Sequence, residues 1–308
     1  MKDIIPPVDR NLLEQELSEE RFVRNTNNGN NRVYIVREDD SPATLREIGR
    51  LREITFRNAG GGTGKECDLD EFDSGERTYS QLIVWNPEDR EIVGGYRFIK
   101  GSDVSVDASY RPSLATSHLL NFSKKFIDEY LPLTVELGRS FVQPKYQPSS
   151  QNRKGLFSLD NLWDGLGAIV VLNPEIRFFF GKVTMYTHFN PKARDMIIYF
   201  MNYYFPDPEG LVTAKDPMGY KTSLDDIRPL FRKEMSYKEA HTILNQNVRL
   251  LGENIPPLIN AYMNLSPTMR TFGTAVNDAF GDVEETGIMV TLNDIYPTKK
   301  ERHLRFSA

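Results

Sequence analysis

A single cysteine, Cys67, in 308 residues leaves no partner for an intrachain disulfide. Long apolar runs are missing too: LGAIVVL at 166–172 falls far short of the roughly 18 residues that a bilayer span requires. The opening MKDIIPPVDR carries no apolar stretch of the kind a secretory leader needs. Together these shortages point to a reducing cytoplasm, with any membrane contact peripheral and at the inner face. Nor is there a surplus of positive charge. The 38 Lys and Arg against 43 Asp and Glu give a net charge of -5 and a pI near 5.6. That balance argues against a nucleic-acid partner, because neutralising phosphates needs a basic excess. No GxSxG elbow, HExxH helix, CxxC pair or dinucleotide fingerprint occurs, and no repeat. His188 has no ligand partner at metal spacing, so no metal site is expected.

What is present centres on LTVELGRSFV, residues 133–142. Alternation puts Leu133, Val135, Leu137, Arg139 and Phe141 on one face of a strand, and Thr134, Glu136, Gly138, Ser140 and Val142 on the other. An unpaired charge removed from water costs several kcal/mol, so Glu136 and Arg139 need partners or a ligand unless this is an edge strand facing solvent. Gly138 between them marks a candidate bulge that would bring both side chains to one face.

Residues 9–23 have loosely helical spacing and lead through the linker NTNNGNN to a strand, RVYIVRE, at 32–38. A helix capped by Ser41 or Thr44 then runs to about Phe56, with Arg52 inside its apolar stripe. Arg52 is either a carboxylate clamp or a snorkelling rim residue. The glycine-rich and acidic stretch RNAGGGTGKECDLDEFDSGE matches neither a P-loop nor an EF-hand. Asp68, Asp70 and Asp73 would orient an amine or pair with arginines such as Arg52 and Arg97; otherwise this is a solvated loop. QLIVW (81–85) and EIVGGYRFIK (91–100) form a hairpin that puts Arg97 on an apolar face.

Spacing predicts a helix from about Ser113 to Tyr130. Beyond the central strand, the loop QPKYQPSSQNRKG enters a helix at 158–172, where Arg153, Lys154 and Gly155 would suit a phosphate or simply start the helix. RFFFGKVTMYTHF (177–189) reads as a buried strand, and PKARDMIIYFMNYYF as a helix opened by Pro191. Residues 205–250 read as polar and helical. A docking helix in NIPPLINAYMNLSP, two closing strands and a basic surface tail finish the chain.

This order of elements resembles the GNAT acyltransferase fold. RxxxF at Arg52–Phe56, DxDxxD at Asp68, Asp70 and Asp73, GxxR ending at Arg97, and ExxR at Glu136 and Arg139 occur in the order found in acyl-homoserine-lactone synthases. ELGRSFVQPKYQ, LWDGLGAIVVLNPEIRFFFGKV, PKARDMIIYF and PPLINAYMNL are similar to segments of the ornithine-lipid, haemolysin-like N-acyltransferases that use acyl carrier protein. The resemblance covers roughly residues 32–293. It implies an α/β fold with a mixed central sheet flanked by helices, an N-terminal helix and linker over 1–31, a helical insertion at about 205–250 and a basic tail over 294–308.

The implied reaction moves a long, often 3-hydroxylated, acyl chain to the α-amine of an amino acid, ornithine or glycine. The donor is the 4'-phosphopantetheine thioester of acyl carrier protein, or acyl-CoA, and no tightly bound cofactor is expected. On this reading Glu136 is the general base and Tyr199, or Tyr203, protonates the leaving thiolate. Arg139 belongs with the catalytic residues, and Arg52, Arg97 and Ser140 with those that bind substrate. The three aspartates organise the loop or hold the ammonium, while Arg153, Lys154 and Gly155 meet the phosphate of the carrier. The alternatives are a homoserine-lactone synthase and a non-catalytic, haemolysin-like membrane-binding protein.

Overall fold

The computed structural model describes residues 1–75, 78–147, 153–232 and 234–304, the side chains of Arg153 and Lys154 excepted. Helix α1 (Arg10–Glu16) precedes strand β1 (Phe22–Asn25), which pairs with β2 (Arg32–Val36). The sheet therefore begins before residue 32. Helix α2 (Pro42–Asn58) follows, then β3 (Ser80–Asn86), β4 (Glu91–Lys100), β5 (Leu120–Phe122) and β6 (Thr134–Val142). The second half runs α3 (Ser158–Leu172), β7 (Phe178–Met185), α4 (Pro191–Tyr204), β8 (Val212–Ala214), α5 (Tyr237–Leu250) and α6 (Pro257–Met263). Strands β9 (Arg270–Asn277) and β10 (Val283–Thr291) and helix α7 (Pro297–Leu304) complete it.

Eight strands form one sheet in the order β1-β2-β3-β4-β6-β7-β10-β9, and β5 pairs with β8 separately. Strand β3 shows why the sheet lies between helical layers. Leu82 and Val84 join the core beneath α3 and α4, while Ile83 and Trp85 join the core beneath α2. Successive side chains point to opposite faces, so a strand apolar at every position is covered on both.

Every pairing in the large sheet is antiparallel except that of β6 with β7. Parallel neighbours need a crossover, which the chain between them supplies through α3. Their pairing runs from Thr134–Phe178 to Leu137–Gly181 and stops, although β6 continues to Val142 and β7 to Met185. The two strands fork there. A Cβ on Gly181 would lie 2.5 Å from the Leu137 carbonyl oxygen, so the last rung requires glycine.

Three expectations are corrected. Ser113–Tyr130 is not one helix: it is a turn, strand β5 and a π-helical turn at Phe126–Tyr130, because Leu120–Phe122 finds hydrogen-bonding partners in Val212–Ala214. In the insertion, regular helix is confined to α5, with β8 ahead of it. The tail is not free surface, since α7 packs on α3 and buries His303, whose Nδ1 is 2.8 Å from Asp164. Gly155–Leu172 has the length and composition to cross a membrane, but more than half of it is buried within the fold.

Candidate active site at the strand fork

The bulge expected at Gly138 lies one residue further on. Arg97 opposes Gly138 and Gly95 opposes Phe141, so Arg139 and Ser140 share the space across from Tyr96. Arg139 takes the extra turn with φ +48°, a left-handed backbone uncommon outside glycine. Its guanidinium is thereby turned toward the acidic loop. Arg139 Nε lies 2.9 Å from Asp68 Oδ2, Nη2 donates to Asp70 at 3.4 Å, and the group stands 4.3 Å from the Phe280 ring centroid.

The other two arginines are held tightly within the protein. Arg52 donates to Asp73 at 3.0 Å and also to Gln81; Arg97 donates to Asp70 at 2.6 Å and to Asp73 at 3.2 Å. All three aspartates and all three arginines of the sequence motifs thus meet in one cluster. Burial acts to raise the Asp73 pKa, but Arg52 and Arg97 outweigh it and hold the carboxyl far below its usual range. Asp68 goes the other way. Burial pushes its pKa up, and Arg139, Arg52 and Arg97 only partly offset this. Neither Asp68 oxygen receives an aligned hydrogen bond among the described residues, the close approach of Arg139 Nε notwithstanding.

Glu136 does not reach this cluster or a cavity. It is 2% exposed and accepts from the Tyr79 hydroxyl, from the Ala115 N–H at 3.2 Å, and from the Thr116 N–H and hydroxyl at 3.1 and 2.6 Å. Both oxygens are occupied twice. The carboxylate expected to act as general base is thus engaged in pinning the turn that leads into His118.

Two cavities open at the fork. One, about 70 Å³, lies between the diverging strands and is lined mainly by apolar and aromatic groups, among them Tyr96, Phe179, Tyr262, Ile288 and Val290, with Ser140 at its side. The other, about 710 Å³, has many charged and polar side chains on its wall, among them Asp70, Arg97, Arg111, Ser113, His118 and Asn277. Arg139, Lys182 and Phe280 line both, so the cavities lie on either side of the same three side chains at the fork. Lys182 on β7 donates to Glu285 on β10, which also accepts from Asn277 Nδ2 at 2.8 Å and Thr184 at 3.2 Å. Burial lowers the Lys182 pKa against the pull of Glu285, with Arg139 and Arg97 adding to the lowering. Burial alone would raise Glu285, but Lys182 and Asn277 keep its pKa depressed.

Sequence reasoning missed Lys182, Glu285, His118 and Asn277. The signal for the first two was the same one that singled out Glu136, a charge inside an apolar strand: FFFGKVTM for Lys182 and EETGIMV for Glu285. Tyr199 and Tyr203 line neither cavity. They stack on each other with ring centroids 5.9 Å apart, and Tyr199 lies 6.0 Å from Phe231, so the structure places the expected thiolate acid on α4 in an aromatic packing cluster. Gly155 is buried where a Cβ would meet the Tyr146 and Gln147 carbonyl region at 2.5–2.6 Å, so it serves chain packing ahead of α3. The side chains of Arg153 and Lys154 lie outside the described residues.

Residues 51–154 match the family described as the acetyltransferase (GNAT) domain. A glycine N(alpha)-acyltransferase of Bacteroides thetaiotaomicron is 55% identical, the alignment covering 99% of this chain and 90% of that one. Its counterpart of the same name in Phocaeicola vulgatus is 53% identical over 99% of this chain and 93% of its own. Among solved structures, a CoA-dependent acyl-homoserine lactone synthase with SAM and isopentyl-CoA aligns with a TM-score of 0.30 at 14% identity, covering 53% of this chain and 71% of its own. With its matched domain and relatives alike across nearly their whole length, the chain belongs to the same family as these GNAT-domain enzymes and is an N-acyltransferase.

Proposed function

We propose that the enzyme transfers a long acyl chain, 3-hydroxylated in some donors, from the phosphopantetheine thioester of acyl carrier protein to the α-amine of glycine. One observation carries the reading: a mainly apolar slot between unpaired strand edges shares Arg139 and Lys182 with a larger cavity lined by charged side chains. Beyond Leu137, β6 no longer pairs with β7, leaving backbone groups for the amides of a pantetheine arm. The thioester carbonyl then lies at the junction, and the amino acid enters from the polar side. The relatives bear glycine in their names, which supports glycine over ornithine.

Aminolysis of a thioester passes through a tetrahedral oxyanion. Arg139 and Lys182 are the cations nearest that point and divide between them the oxyanion and the acceptor carboxylate. Lys182, with its lowered pKa, is also a suitable proton donor to the leaving thiolate. Arg52, Arg97, Asp70 and Asp73 act indirectly, by fixing the acidic loop and Arg139. Ser140 lines the donor slot, and Arg153 and Lys154 remain assigned to the phosphate or the acidic carrier surface. A long-chain product partitions into lipid, so the reaction is assigned to the cytoplasm beside the inner membrane face.

Incubating the purified chain with 3-hydroxypalmitoyl carrier protein, the matching CoA ester and a pool of amino acids, with products read by mass spectrometry, tests all three assignments. N-acylglycine formed faster from the carrier protein is expected. Product from CoA alone corrects the donor, another N-acyl amino acid corrects the acceptor, and intact thioester under all conditions refutes the proposal.

A further inference from the structure

We infer that His118 is the general base that removes the amine proton, presented to the polar cavity by the turn that Glu136 anchors. The inference rests on the acyl-transfer reading above and adds to it the group that takes the proton from the attacking nitrogen.

His118 Nδ1 lies 2.6 Å from the Ala115 carbonyl oxygen. A carbonyl can only accept, so Nδ1 carries the hydrogen, and in the neutral ring Nε2 holds the lone pair. The rotation of the ring is set two residues away, where Thr116 is gripped through its N–H and hydroxyl by Glu136, and Ala115 through its N–H by Glu136 and Tyr79. A base oriented by a second group, itself fixed by a buried carboxylate, is the arrangement that proton transfer requires. The ring borders the same cavity as Lys182, Arg139 and Asn277.

The surroundings keep the ring neutral. Burial lowers the His118 pKa and Lys182 on β7 lowers it further, while the Ala115 carbonyl, Glu285 on β10 and Asn277 on β9 pull it back up. The other charges on the cavity wall are Arg111 and Asp107 from the preceding loop, Lys65, Asp70 and Glu71 from the acidic loop, Arg97 from β4 and Arg139 from β6. Asn277, 2% exposed, keeps its Oδ1 without a donor among the described residues, an acceptor available once the imidazolium forms. Competing bases are less suited. Glu136 has both oxygens engaged, Asp68 is fully buried outside the cavity, and Glu285 is held by Lys182, Thr184 and Asn277.

The amino acid loses its first proton to water, and its nitrogen lone pair forms the C–N bond while the carbonyl π pair moves to oxygen. Nε2 takes the second proton from that nitrogen. The oxyanion then re-forms the carbonyl, the C–S bond breaks with its electron pair going to sulfur, and the thiolate takes one proton. The amide, a thiol and one released proton result.

The test measures kcat and KM for glycine with acyl carrier protein thioester across about pH 5 to 9 for the wild type, H118A and H118Q. H118A is expected to lose roughly 10²–10⁴-fold in kcat with little change in KM, to lose the acid limb of the kcat profile, and to regain part of its rate on adding imidazole. That acid limb in the wild type should lie below the ordinary imidazole value, as the lowered pKa requires. An H118A kcat within about threefold of wild type overturns the inference, as does a low rate that imidazole fails to lift in a protein whose thermal midpoint is unchanged. A folding defect would show in that midpoint, and H118Q, which keeps a hydrogen-bonding side chain, then decides by the same criteria. A wild type that acylates no amino acid refutes the acyl-transfer reading itself.

Discussion

Glu136 and His118 occupy opposite ends of one short relay of hydrogen bonds, and their replacement has different consequences. In E136Q one carboxylate oxygen becomes an amide NH₂ facing two donors, either Thr116 N–H and hydroxyl or Ala115 N–H and Tyr79. The hydroxyl of the pair can turn to accept from that NH₂, so one buried N–H is left unpaired, at a cost of about 1–3 kcal/mol. A lower thermal midpoint is expected, with a raised KM for the acceptor as the 115–118 turn loosens. The acid limb of the pH profile should stay, because its owner is still present. Loss of that limb in E136Q, with the midpoint unchanged, would return the role of base to the carboxylate. At this scale the sequence was informative about pairing and silent about reactivity: a glutamate and an arginine in a buried strand announce that partners exist. Which one faces a cavity depends on side chains 20 residues away.

Among the elements, the fork between β6 and β7 governs the site. Its last rung leaves no room for a side chain on Gly181, whose Cβ would stand 2.5 Å from the Leu137 oxygen. G181A is expected to force the two strands apart at the point where the donor slot begins. Such strain costs roughly 1–3 kcal/mol, which for a chain of this size lowers the melting midpoint by about 2–6 °C. The donor KM should rise while the acceptor KM changes less. A variant as stable and as tight for donor as the wild type would show that the rung does not set the slot. Strands β4 and β6 and helix α3 were legible because each carries its own pattern: period two with β-branched residues, or an apolar face ended by Asn173 and Pro174. The stretch 113–130 was not. Leu119, Phe122, Phe126 and Tyr130 have helical spacing, yet Leu120–Phe122 is paired with a strand some ninety positions later, and the hydroxyls of Ser113, Thr116 and Ser117 favour turns over helix. His118 was hidden by that misreading, since on a helix it would have been an unremarkable surface residue.

For the molecule as a whole, the proposed reaction places the two substrates in neighbouring cavities that share Arg139, Lys182 and Phe280, so both are present together and the amine attacks the thioester directly. The one thiol that could carry an acyl chain is poorly suited to do so. Cys67 lines neither cavity, and burial pushes its pKa up to about 11, so little thiolate exists near neutrality. Initial-rate kinetics with acyl carrier protein thioester and glycine both varied test this account most directly. Double-reciprocal lines that intersect, with no acyl adduct on the intact protein by mass spectrometry, are the predicted result. Parallel lines together with a stable acyl-enzyme would contradict it.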